Sequence, residues 1–133
     1  MELNLRAIAY GFAATLIIGL LSGFTVPFTN FTLPTIGYIL TGIIGGFVAG
    51  YMVTTGWTDG AVNGLVGTTL GAIFVAIGLV LFNILFTGVF FGLTTFAAAI
   101  VIIAIAGIPG ALGGALGTMM KERSAARRTR PAA

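Results

Sequence analysis

Residues 59–86 read DGAVNGLVGTTLGAIFVAIGLVLFNILF, a run that opens on one carboxylate and carries no charge after it. As a helix rising about 1.5 Å per residue, it outspans the roughly 30 Å hydrocarbon core of a bilayer. Its apolar residues do not alternate, as those of a transmembrane barrel strand would. The pattern holds outward in both directions, since Asp59 is the only charged residue between Arg6 and Lys121. Water-facing positions of a soluble domain need charge, and only 7% of this chain is charged against 58% hydrophobic. The fold class this implies is an all-α integral membrane protein.

The 133 residues hold four spans of about 20 residues with short loops. Expected spans are 7–28, 34–55, 60–86 and 90–120, within one transmembrane domain over 1–120. The first run is longer than a signal-peptide core and ends in no Ala-x-Ala site, so it reads as a retained helix. Pro27 and Thr29-Asn30 close it. Pro34 fits the first turn of the second span, with Thr32 as its cap. The stretch 90–120 is too long for one bilayer crossing, so either 86–92 is a non-helical turn or Gly107-Ile108-Pro109-Gly110 kinks the helix. Residues 121–133 form a basic tail expected to be disordered.

An even number of spans places both termini on one side. All six basic residues, Arg6, Lys121, Arg123, Arg127, Arg128 and Arg130, then share that side, which the positive-inside rule makes the cytoplasm. The tail cations Lys121, Arg123, Arg127, Arg128 and Arg130 are expected to meet anionic lipid. Asn30-Phe31-Thr32 matches a glycosylation pattern, but the loop is too short and too close to the membrane for modification to be expected.

Glycine supplies 21 residues, and they recur four apart. The stripes are Gly11, Gly19 and Gly23 with Ala7 and Thr15; Gly42, Gly46 and Gly50 with Gly45 and Ala49 alongside; Gly64, Gly67 and Gly71 with Gly60 and Thr68; and Gly110 and Gly114 with Ala106, Gly113, Gly117 and Thr118. Residues four apart share a helix face. Helices in lipid gain nothing from excluding water, so small faces that let backbones approach are what hold them together. The expectation is a tight glycine-packed bundle; a glycine-lined solute path is the alternative. Gly42-Ile43-Ile44-Gly45 matches Gly107-Ile108-Pro109-Gly110, which suggests two tandem helical hairpins.

Chemistry-bearing residues are scarce. The chain has no His and no Cys, so catalytic, metal and cofactor sites are expected to be absent. Asp59 is expected to cap the third span and complement its dipole. Asn63 and Asn83 are expected to hydrogen-bond neighbouring helices.

Gly45-Gly46-Phe47-Val48-Ala49-Gly50-Tyr51, then Asp59-Gly60-Ala61 with Gly64 and Gly67, then Pro109 to Gly117 before a basic end, resembles an archaeal family of small four-span membrane proteins classed as a domain of unknown function. The resemblance covers nearly the whole chain. It implies a four-helix fold in an archaeal plasma membrane and transfers no active site.

The function expected from these features is that of a structural or accessory bundle, not an enzyme, that self-associates or scaffolds a membrane complex. Its partners would be the lipid bilayer and a second copy or a membrane-complex protein, not nucleic acid. A channel or facilitator for a small neutral solute is the alternative, because hydrophobic pores conduct without charges. Thr32→Cys and Thr58→Cys, introduced singly into this cysteine-free chain, are expected to react with an impermeant maleimide from opposite sides of the membrane. Reaction of both from one side would refute four spans in this order.

Overall fold

A computed structural model describes residues 2–25, 32–53 and 55–129, without the side chains of 20, 22–25 and 32–36. The described residues form four helices and no strand: α1 (Leu5–Thr25), α2 (Thr32–Met52), α3 (Trp57–Thr87) and α4 (Val89–Arg128). Of these, α3 and α4 are long and apolar enough to cross a membrane. The apolar stretches of the other two, Leu5–Gly19 and Gly37–Met52, are shorter. At about 1.5 Å per residue, the 21 residues of α2 extend roughly 30 Å and the 31 of α3 roughly 46 Å.

The helices form a bundle whose sequential pairs run antiparallel. Helix α1 packs on α2 and α3, α4 packs on α3 and α2, and α2 also touches α3. Among the described residues α1 and α4 do not meet. The arrangement is therefore a rhombus with α2 and α3 on its short diagonal. Two tandem hairpins related by a two-fold axis would place α1 against α4 as α2 lies against α3, so the halves are not equivalent.

The core is built from small residues. Its buried hydrophobics are Ala7, Ala49, Val53, Ala99 and Ala106, and its buried polar residues are Thr15, Thr41, Asn63, Thr68 and Thr118. Large apolar side chains point outward instead, with Leu85 78% and Phe90 74% exposed. This inverts the order of a water-soluble domain, where large hydrophobics fill the interior.

Several boundaries differ from expectation. The α3–α4 corner is Gly88 alone, at φ 102° with its N–H on the Asn83 carbonyl (3.0 Å). A positive φ is open to glycine and strained for other residues. The helix after it runs unbroken through Pro109. No long outer turn is present, and 107–110 lies inside the continuous helix. The same helix continues to Arg128, so 121–128 is helical and not a disordered tail; residues 130–133 lie outside the described residues. A 40-residue helix carries its last turns forward because each adds a hydrogen bond to a ladder already nucleated. The cap expected of Asp59 is also corrected. Helix α3 starts at Trp57, its cap position is Gly56 at φ 122°, and Asp59 occupies the first turn. The glycosylation pattern at Asn30 and the closing residues Pro27 and Thr29 fall outside the described residues, as does the side chain of Thr32.

Gly46→Leu is expected to lower thermal stability in detergent by roughly 1–3 kcal/mol or more, because a side chain there meets the backbone of α4. Gly78→Ala, where a methyl group meets nothing within 4 Å, should be neutral or stabilising by up to about 1 kcal/mol. Equal stability of Gly46→Leu and wild type would mean that this face is not a helix contact. Gly56 is no neutral control, since its φ penalises any side chain.

Candidate functional site: a sealed base and an apolar chamber

The glycine stripes resolve into paired faces, each serving one neighbour. On α2, a β-carbon at Gly42, Gly46 or Gly50 would collide with the carbonyl oxygen of Ala106, Gly110 or Gly114 on α4. The second α2 face turns to α1: a β-carbon on Gly11 would lie 2.7 Å from that of Ala49, and one on Gly45 would strike the Thr15 hydroxyl. On α3, Gly60 and Gly64 meet Thr118, Gly114 and Gly110 of α4, whereas Gly67 and Gly71 meet Ile8, Phe12 and Thr15 of α1. Helix α4 returns the contact through Gly113 and Gly117, which press on the Ile43 and Phe47 carbonyls. Faces three residues apart diverge by less than a full turn, so one helix can seat two neighbours.

These contacts place nine of the eleven expected packing glycines at a helix–helix approach: Gly11, Gly42, Gly46, Gly50, Gly64, Gly67, Gly71, Gly110 and Gly114. Gly19 is half-exposed, and a β-carbon there would lie 3.4 Å from Val75, an ordinary contact distance. The surroundings of Gly23 lie outside the described residues. Thr118 adds a hydrogen bond across the α2–α4 seam, donating its hydroxyl to the Gly50 carbonyl at 2.7 Å. Backbone meets backbone over several turns in this half of the bundle.

The base is tied at both chain ends. Asn63, fully buried, donates to the Glu2 carbonyl (3.0 Å) and accepts from the Asn4 N–H (2.8 Å). A carboxamide presents one donor and one acceptor side by side, so it pairs with an extended backbone as a neighbouring strand would. Asn4 in turn caps α1, accepting from the N–H groups of Arg6 (3.1 Å) and Ala7 (3.4 Å). The cap thus lies on α1 and not on Asp59, whose carboxylate accepts from the Glu2 N–H (3.4 Å) and the Thr55 hydroxyl. Among the described residues Asn83 joins no other helix, donating to Leu79 four residues back in its own (2.9 Å).

Lys121 donates to the Met52 carbonyl at the end of α2 (3.4 Å) and lies over the Tyr51 ring at 6.0 Å. A cation there complements the negative end of the α2 dipole. Arg123, Arg127 and Arg128 are exposed on the final turns of α4, and Arg130 lies outside the described residues.

Away from the base the helices separate around a cavity of about 180 Å³. All four contribute to its wall, including Thr15 of α1, Tyr38 and Thr41 of α2, Ala76 of α3, and Thr95 and Ala99 of α4. The three threonine hydroxyls are turned into their own helices, donating to the carbonyls of Gly11, Gly37 and Phe91 at 2.8 Å each. Apart from the Tyr38 phenol the chamber surface is therefore hydrocarbon, and it holds no carboxylate, amine or thiol. Sequence stripes did not reveal it, because the small residues that line it follow the same spacing as those that close the base.

Asn63→Leu is expected to cost roughly 1–3 kcal/mol of stability and to raise amide exchange at Asn4, since it leaves part-buried backbone groups of Glu2 and Asn4 without partners. Asn83→Leu should change neither. Unaltered exchange at Asn4 in Asn63→Leu would show that the amide does not hold the N-terminal segment.

No curated protein and no solved structure matches the chain. A family model does, over residues 5–120, which take in all of α1, α2 and α3 and most of α4. The chain belongs to that family, DUF5518, a family of unknown function.

Proposed function

We propose that the chain is a four-span protein of the cell membrane with both termini cytoplasmic, and that it works as a structural or accessory bundle in a membrane complex, not as an enzyme. The observation that carries this reading is the backbone seat of Gly46 and Gly50 on Gly110 and Gly114, which seals the base. Helices seated backbone on backbone have little room to part at the base, which favours a structural role over a passage.

The inverted distribution of large and small residues supports the span number. All four helices present large apolar side chains outward, from Ile17 and Leu21 on α1 to Leu112 and Leu116 on α4. The cations at the N-terminus and at the end of α4 fit a cytoplasmic side for both ends and contact with anionic lipid, about 1 kcal/mol per basic residue near the surface. The stripes expected to drive self-association are largely consumed inside the bundle. A second copy or partner protein would instead use the large outward side chains, above all those of the α3–α4 hairpin. No nucleic-acid or cofactor role follows from any of these features.

The chamber favours a second reading, a facilitator for a small neutral solute, and the sealed base opposes it. Proteoliposomes decide between them. The bundle reading predicts solute flux indistinguishable from protein-free vesicles over a panel of neutral solutes, with cross-linking in native membranes giving discrete higher-mass species. Saturable flux abolished by Gly46→Leu would overturn it.

A further inference from the structure

We infer that the chamber between the four helices is a binding site for part of the hydrocarbon chain of one membrane lipid; the inference rests on the four-span reading above. Water does not suit the cavity. A buried water makes about three hydrogen bonds to otherwise unsatisfied polar groups. Here the hydroxyls of Thr15, Thr41 and Thr95 already donate to Gly11, Gly37 and Phe91, and the Tyr38 phenol alone does not supply the three partners a water needs. An occupant must be apolar. Cavities of about 150 Å³ with apolar walls stay dry and take up benzene-sized hydrocarbon, and this one measures about 180 Å³.

The source is the bilayer itself. The chamber walls sit beside residues that face outward in large number: Ala76 next to Ile77 (54% exposed) and Ala99 next to Ile100 (58% exposed). In the four-span reading those outward neighbours are bathed in lipid tails, the most concentrated hydrocarbon available to the site. The lining mixes alanine, threonine and glycine with Tyr38, Val75, Leu79 and Ile102, a largely apolar wall that suits a hydrocarbon chain. The tail would take the place of the large side chains the interior lacks. Its contacts would bind the outer halves of all four helices together, as the glycine contacts bind the base.

The test uses the full-length protein in phosphatidylcholine nanodiscs doped with a phosphatidylcholine that carries a mid-chain diazirine. After irradiation, labelled residues are mapped by mass spectrometry. The expected result is label at Ala76, Ala99 and Ile102 that saturates at one lipid per chain, together with unsaturated label at Ile77 and Ile100. Ala76→Leu, which fills the chamber from α3, should lower the interior label about tenfold, the factor an overfilled site loses, and spare the exterior label. Ala98→Leu fills it from α4 and serves if Ala76→Leu does not fold. Interior label missing while the exterior is labelled overturns the inference and leaves the membrane reading standing. Interior label that neither filling variant reduces also overturns it. Saturation by a free diazirine alkane but not by the phospholipid would overturn the lipid as source. Absence of label at Ile77 and Ile100 as well would overturn the four-span reading and the inference with it.

Discussion

Contact between helix backbones is the constraint on which this structure depends. In the membrane proposed for this chain no apolar surface is freed from water when two helices meet, so association there draws on dispersion and hydrogen bonds alone. Both fall off within a fraction of an ångström, and they reward only faces that can come close. Glycine at 42, 46 and 50 permits that approach to the carbonyls of Ala106, Gly110 and Gly114. A β-carbon at any of these positions would have to displace α4 as a rigid element. The reciprocal positions on α3 and α4 obey the same condition, which is why the interior holds alanine, threonine and glycine.

That choice of interior decides where everything else goes. Leucine, isoleucine and phenylalanine have no room inside and cover the outer surface, most densely around the α3–α4 corner at Gly88. Threonine serves as a small residue that can satisfy its own hydroxyl by donating to the carbonyl four residues back, as Thr15, Thr41 and Thr68 do. Of the threonines in the described residues, Thr118 is the one that donates across a seam to another helix. The polar inventory is thereby neutralised locally. A chamber with hydrocarbon walls remains where the helices diverge.

The two ends of the bundle differ in kind. At the base, side chains and chain ends are knitted together: Asn63 holds the segment before α1, Asn4 caps that helix, and Lys121 sits on the last carbonyls of α2. The corner at Gly88 is held by bonds within α3, including the Thr87 hydroxyl donating to the Asn83 carbonyl (2.7 Å). Polar anchoring on one side and apolar projection on the other give the molecule a fixed polarity across the membrane proposed for it.

The sequence by itself determined the helical class, the approximate place of each helix and the residues of the packing faces. Those depend on composition and on four-residue spacing, both of which are local properties of the chain. It did not reveal which stripe meets which helix. Gly42 and Gly45 belong to faces three residues apart, and only the tertiary arrangement sends one to α4 and the other to α1. It also misplaced the cap. Asp59 had the right chemistry, but the start of α3 was set by the backbone of Gly56, while the cap that formed was Asn4, held in position by Asn63, 59 residues away. The chamber belonged wholly to the tertiary structure. Ala72 and Ala76 lie four and eight residues beyond Thr68 on the same face of α3, and they line a gap only because the helices have spread by that depth. Spacing along a chain sets which residues share a face; the distance to the next helix is a property of the assembled bundle.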